Sequence, residues 1–329
     1  MRFVVLGAGG IGGTIGARLF MAGETVVLIA RGEHGDALRR DGMRFFTPGG
    51  EQRLAIPTVL EPGALAWSAE DVVLLCVKSQ HTIAALDALR AAAGDRVPVV
   101  CVQNGVANET MALRRFAGVY AMVVILPAAH LSPGVVLTYA EAPGGILDVG
   151  AFPSGVDDRC RDIAAALTRA GFSCEPDPAV MRQKYAKLLM NLNNALQAAC
   201  EMGDGAREIA TQLREEALAC YAAAGIDCAD AAEVGARRER GMRYLDVPGH
   251  RRHGGSSWQS VARGTGDIEA DYLNGEIVLI GRRCGIATPA NAVVQRLGNT
   301  MAVQRLSPGH FKLAEVRALI DAEAALVST

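Results

Sequence analysis

The chain has 329 residues, half of them apolar, enough to bury a sizeable core and to form two domains. A formal net charge of −2 leaves no electrostatic footprint for nucleic acid or for an anionic membrane surface. The eight cysteines lie apart without a C-x-x-C pair, which argues against a disulfide frame or thiolate metal centre and for reduced, small apolar residues.

The opening "MRFVVLGAGG" is too short an apolar run for a signal peptide, and the later run "VYAMVVILPAA" is too short for a bilayer and contains Pro127. A cytoplasmic protein with no membrane partner is expected. His250 and His253 stand close together in a Gly- and Arg-rich loop without thiol or carboxylate ligands nearby, so no metal is expected. The arginines of "ARRERGMRYLDVPGHRRH" read as a solvated helix face and loop.

In chain order, the first strand "RFVVLG" runs directly into Gly7-x-Gly9-x-x-Gly12, with Gly10 and Ile11 between the last two glycines and a helix from about residue 11. The first glycine allows a tight turn, the second lets a pyrophosphate approach the backbone, and the third lets helix and strand pack closely. Following a β-run and opening a helix, the motif predicts dinucleotide binding. The second strand, "TVVLIA", ends in Arg31 where an NAD site usually carries an acid. A guanidinium matches a 2′-phosphate, so NADP is favoured over NAD, against the plainer reading of Arg31 as a surface residue starting a loop.

"DVVLLCVKSQ" then places Lys78 just beyond a third strand, a helix follows from about Gln80, and "VPVVCVQNG" places Asn104 beyond a fourth. Strands apolar on both faces and separated by helices describe a parallel sheet covered on both sides, and its ligands bind at the carboxyl ends of the strands. Further strands are expected in "YAMVVIL", "GVVLTYA" and "GGILDVG". After "FSCEPDPAV" strands cease and helical periodicity runs to the end. The expected fold is therefore α/β: a Rossmann-type doubly wound sheet over residues 1–176, followed by an all-helical domain over residues 177–329.

The second half opens with "KYAKLLMNLNN", an apolar helix in which Lys187, Asn191 and Asn194 share one side while Leu188, Leu189 and Leu192 cover much of the rest. A solvated face is the plain reading of a helical lysine. Asparagine is a mediocre helix former, and two amides beside the lysine weaken that reading.

Here the chain resembles the ketopantoate reductase family over nearly its full length. The pieces that carry the resemblance are "GAGGIG", "CVKSQ", "VQNG", "KYAKLLMNLNN" and "SSWQSVARGTGDIEADYLNGEIVLIGRRCGIATPAN". The resemblance implies NADPH in the N-terminal half, a small 2-keto acid as substrate, reduction in an interdomain cleft, and a place in pantothenate biosynthesis; a homodimer is a candidate assembly. It implies that Lys187 is the general acid and Asn191 a substrate-binding amide. Lys78 and Asn104 then stand beside nicotinamide and substrate, Ser257 is the substrate-binding serine, and Glu269 is the carboxylate opposite the nicotinamide end. Glu269 has a competing reading as an acid at a helix start. Hydride arriving at a ketone leaves negative charge on oxygen, which explains a lysine flanked by amides: one gives the proton and the others hold the ligand.

Several positions depart from the family pattern. Ala195-Leu196 stands where Asn-Pro is usual, and Asn194 is one residue off the missing amide. Val261 replaces an aspartate beside the bulky Trp258, and "GTGDIEAD" alters a Gly-x-Thr stretch. The leading expectation is an NADPH-dependent reductase with 2-dehydropantoate as the first substrate to test. The alternatives are a paralogue reducing a keto acid with an apolar or aromatic tail, and a non-catalytic NADP-binding sensor.

Overall fold

The structure, a computed structural model, describes residues 1–251, 254–264 and 266–327. The chain divides into two compact units, Met1–Lys184 with Asp230–Arg252, and Tyr185–Ala229 with His253–Thr329.

In the first unit, β1 (Arg2–Leu6), α1 (Gly10–Met21), β2 (Thr25–Ile29), α2 (Gly32–Asp41), β3 (Met43–Thr47), β4 (Gly50–Leu54) and β5 (Thr58–Val59) come first. They are followed by β6 (Asp71–Leu75), α3 (Thr82–Ala93), β7 (Val99–Cys101), α4 (Asn108–Leu113) and β8 (Val119–Met122). Then come β9 (Ala128–Ser132), β10 (Val135–Thr138), β11 (Ala140–Gly144), β12 (Val149–Ala151) and α5 (Asp158–Arg169). Among the described residues seven strands form one sheet in the order β12-β8-β7-β6-β1-β2-β5, parallel except for the edge strand β12. Alternate residues of β1 serve opposite faces: Phe3 and Val5 join the core with Ile15 and Leu19 of α1, while Val4 and Leu6 join Leu86 and Leu89 of α3. This two-sided burial is why the strands read as continuous apolar runs. Reading outward from β1, the order is that of a doubly wound dinucleotide-binding sheet, and it reverses between β1 and β6.

Strands do not cease in the second half of the chain. After α9 (Ala231–Gly241), β13 (Met242–Tyr244) pairs antiparallel with β11. The segment is fastened by Arg237, which lies buried in the expected solvated basic run and donates to Asp148 Oδ1 at 2.6 Å and Oδ2 at 2.8 Å, and to Ser173 Oγ at 2.9 Å. A guanidinium forked onto a carboxylate has fixed geometry as well as charge, so it pins the returning chain. His250 packs against Phe46 with ring centroids 4.7 Å apart, whereas His253 lies outside the described residues.

The second unit is helical. The division falls inside α6 (Val180–Asn191); then follow α7 (Asn193–Ala199), α8 (Ala206–Ala224), α10 (Ser256–Ala262), α11 (Asn274–Cys284), α12 (Pro289–Gln304) and α13 (Leu313–Val327). The largely buried α12 packs against α7, α8, α11 and α13. The expected single helix through "KYAKLLMNLNN" is divided at Leu192, whose backbone keeps helical angles (φ −59°, ψ −27°), into α6 and α7. The break coincides with a competing bond: Asn274 Nδ2 donates to the Leu192 carbonyl at 3.0 Å. All eight cysteines are free thiols. Among the described residues no helix is long and apolar enough to cross a membrane.

Candidate active site

In the first unit the candidate residues gather at the carboxyl ends of β1, β2, β6 and β7. Gly7 has φ +102°, and a Cβ there would stand 2.9 Å from the Val77 backbone nitrogen, so the turn after β1 and the loop bearing Lys78 are in close approach. A Cβ on Gly12 would lie 2.1 Å from the Gly7 carbonyl oxygen, and one on Gly10 would lie 3.1 Å from the Ala129 backbone of β9. Ile11 is half-buried against the core. Gly9 differs from the other three, because a Cβ there would meet nothing within 4 Å. It N-caps α1 with an open face, the cradle a pyrophosphate needs at a helix N-terminus. The donor set therefore fits a dinucleotide.

The loop is braced from α2. His34 Nε2 donates to the Ala8 carbonyl at 2.8 Å, and Gly134 N–H donates to His34 Nδ1 at 3.0 Å. Acceptance at Nδ1 requires the neutral ring, and burial lowers the His34 pKa in the same sense, although the bond to the Ala8 carbonyl opposes it. Arg31 is exposed and N-caps α2 directly beyond β2.

Lys78 is half-buried beyond β6 and precedes a short 3₁₀ turn, Ser79–His81; Asn104 is half-buried beyond β7. A buried polar network underlies both. Gln103 Nε2 donates to the Val77 carbonyl at 2.7 Å and to Thr82 Oγ1 at 2.8 Å, Thr82 Oγ1 donates to Asn108 Oδ1 at 2.7 Å, and Asn108 Nδ2 donates to the Asn104 carbonyl at 3.2 Å.

In the second unit Lys187 is half-buried on α6, and Asn191, one turn on, is 5% exposed. Among the described residues the Asn191 Nδ2 has no hydrogen-bond partner. A buried amide without a partner is expensive unless something else satisfies it. The end of α6 is held by a chain of buried polar groups that motif reading did not single out. Asn274 bonds Leu192 and Asn291, and Asn291 Nδ2 reaches Glu216 Oε2 at 2.8 Å. Glu216 in turn accepts from the Ala290 and Asn291 backbone N–H groups at the start of α12. Burial raises the Glu216 pKa although these donors favour its charged form. The only advance signals were an acid within the apolar pattern of α8 and the "TPAN" helix start.

Ser257 is buried at the start of α10, next to Ser256, whose hydroxyl accepts from Asn194 Nδ2 at 3.5 Å. That contact, at the limit of hydrogen-bond distance, engages one N–H of Asn194. Ala195 sits in a helix contact where a Cβ on Gly298 would be 3.3 Å from its own and 3.1 Å from that of Ala270, leaving little room for a longer side chain. Trp258 crowds Gly254, where a Cβ would come within 2.4 Å of the indole, and Val261 is buried. Glu269 is half-buried and opens a 3₁₀ turn, Glu269–Tyr272, as the reading of an acid at a helix start expects. Thr265, in the altered Gly-x-Thr stretch, lies outside the described residues.

Comparison with known proteins agrees with this layout. The family model described as ketopantoate reductase PanE/ApbA matches residues 3–154, and its C-terminal companion matches residues 179–302. The chain belongs to the ketopantoate reductase family. With it, the chain is an oxidoreductase. The 2-dehydropantoate 2-reductase of Pyrococcus horikoshii is 27% identical over 90% of this chain and 96% of its own length. That of Mesorhizobium japonicum is 26% identical over 93% and 99%. Among solved structures, a PanE/ApbA family ketopantoate reductase from Ralstonia eutropha superposes with TM-score 0.77 at 30% identity, covering 93% of this chain and 99% of its own. A D-mandelate dehydrogenase bound to NADH and anilino(oxo)acetate shares the fold at TM-score 0.80 and 20% identity, with 93% and 99% covered.

Proposed function

We propose that this ketopantoate reductase family member reduces a 2-keto acid to the 2-hydroxy acid with NADPH, 2-dehydropantoate to pantoate being the first candidate. The observation that carries the reading is Asn191, a buried amide whose Nδ2 lacks a partner among the described residues, one turn from Lys187 on α6. Residues 1–176 hold the cofactor in this reading and residues 177–329 the substrate. The Gly7–Gly12 loop receives the pyrophosphate at Gly9, Arg31 takes the 2′-phosphate, and Lys78, Asn104 and Glu269 serve the nicotinamide end. Bound NADPH supplies the hydride. Lys187 gives its proton to the oxygen that becomes charged, while Asn191, Asn104 and Ser257 hold and orient the keto acid.

Asn191→Ala tests the proposal. A hydrogen bond from the amide to a charged substrate is worth about 1.5–3 kcal/mol, so kcat/KM should fall by about ten- to a hundredfold while NADPH affinity stays at the parent value. An unchanged kcat/KM would remove the substrate role.

The paralogue reading keeps a specific foothold. With Ala195 in a tight helix contact and Val261 buried, these two positions offer little to a substrate hydroxyl, and Trp258 adds apolar surface beside Ser257. Sites that lack polar partners do not select for a hydroxyl. The tail of the substrate is then less hydroxylated than that of pantoate. The small keto acid is the partner in this reading, with a homodimer as the candidate assembly.

A further inference from the structure

Lys184 and Glu109 are 3% and 0% exposed, and neither has a part in the chemistry above. The ammonium lies 2.8 Å from Glu109 Oε1 and donates to the carbonyls of Gln103 at 2.9 Å and Met122 at 3.2 Å. An ammonium has three donors, and three acceptors meet here. Met122 ends β8 and Gln103 follows β7, so one side chain ties together the carboxyl ends of two neighbouring strands. The approach to Glu109 has ion-pair distance without hydrogen-bond alignment, and the other Glu109 oxygen has no partner among the described residues. The carboxylate therefore depends on Lys184 for its compensation.

Apolar replacement of both members of a buried ion pair is often neutral or stabilising, so stability alone does not account for this one. Its placement offers another reason. From Gln103 the bonds continue to Val77, the residue before Lys78, and through Thr82 and Asn108 to Asn104 and to Ser79, whose hydroxyl accepts from Asn108 Nδ2 at 3.1 Å.

We propose that Lys184 and Glu109 are positioning residues for the reduction: the pair fixes the Gln103 main chain, and through it the two loops that present Lys78 and Asn104. This rests on the reading of those two residues as facing nicotinamide and substrate. A misplacement of about 1 Å at such groups can cost on the order of a hundredfold in rate.

The test uses the full chain with Lys184→Met, Glu109→Leu and the double variant, following melting temperature, NADPH affinity by fluorescence, kcat and KM. Each single variant leaves one charge buried alone and should melt well below the parent. The double variant should recover most of the melting temperature yet keep kcat at least tenfold low. A double variant with parent kcat, KM and NADPH affinity would reduce the pair to a structural role and overturn the proposal. Should the double variant not fold, Gln103→Ala removes the link without burying a charge. A tenfold loss of kcat there supports the proposal, and parent kinetics overturn it. Lys78→Ala and Asn104→Ala test the underlying reading separately: a loss of rate in them beside a normal double variant overturns the positioning role alone, whereas full rate in both overturns the reading and the role together.

Discussion

Gly9 and Gly12 belong to one motif, yet adding a methyl group to each should have opposite consequences. At Gly12 the new Cβ would sit 2.1 Å from the Gly7 carbonyl oxygen, 2.8 Å from Cys76 Cβ and 2.9 Å from Val5 Cγ1. The nearest of these is backbone and cannot swing aside, so Gly12→Ala must push α1 away from β1. Overpacking of this kind costs about 1–3 kcal/mol, which lowers the melting temperature by roughly 2–12 °C for a unit of this size. At Gly9 the Cβ meets nothing within 4 Å, so Gly9→Ala should melt within about 2 °C of the parent, the scale expected of a change near 0.5 kcal/mol. It should nevertheless weaken NADPH binding, because the methyl occupies the approach to the N-terminal N–H groups of α1. Losing charge-assisted contacts worth about 1.5–3 kcal/mol raises Kd by about ten- to a hundredfold. Differential scanning fluorimetry and a fluorescence titration with NADPH read the two effects separately. Parent affinity in a well-folded Gly9→Ala protein would refute the placement of the pyrophosphate.

Arg31→Ala should erase most of a preference for NADPH over NADH measured as a ratio of dissociation constants, since one charge-assisted bond accounts for about ten- to a hundredfold; equal affinity of the parent for both would end the NADP assignment. Lys187→Ala should lower kcat by about 10²–10⁴ with little change in NADPH affinity, and turnover within about threefold of the parent would return Lys187 to an ordinary half-buried position. An apolar or aromatic 2-keto acid should reach a kcat/KM comparable to that of 2-dehydropantoate; a preference above about a hundredfold for the latter, nearly 3 kcal/mol, would show that Ala195, Val261 and Trp258 are neutral.

The strands and the glycine motif were legible because much of their cause is local. Both faces of β1 are buried from Phe3 to Leu6, so those residues are all apolar, and the first and third glycines of the motif meet each other, a Cβ on Gly12 running into the Gly7 carbonyl oxygen. What escaped notice depends on partners distant in sequence. Arg237 looks like one more cation in a basic run until Asp148, 89 residues away, supplies its carboxylate. The break in "KYAKLLMNLNN" has a counterpart in Asn274, whose amide reaches the Leu192 carbonyl from 82 residues away, and no propensity within that stretch announces it. Lys184 lies three residues before Lys187, a spacing that shares a helix face, yet its own acceptors lie around Gln103, Glu109 and Met122. Spacing alone cannot separate a lysine that closes a buried network from one that serves a substrate. Asn191 was legible as a stripe residue, but that it is buried with its Nδ2 unpartnered among the described residues is a fact of packing.

The most direct measurement of the central claim is steady-state turnover of the full chain with NADPH and a panel of 2-keto acids, 2-dehydropantoate included, followed by loss of NADPH absorbance. The account predicts loss that requires both protein and keto acid, saturates with the keto acid and yields the 2-hydroxy acid, within the ordinary range of about 1–10³ per second. Tight NADPH binding with no turnover of any keto acid in the panel would contradict it, and would leave the chain as a cofactor-binding protein without the reductase chemistry.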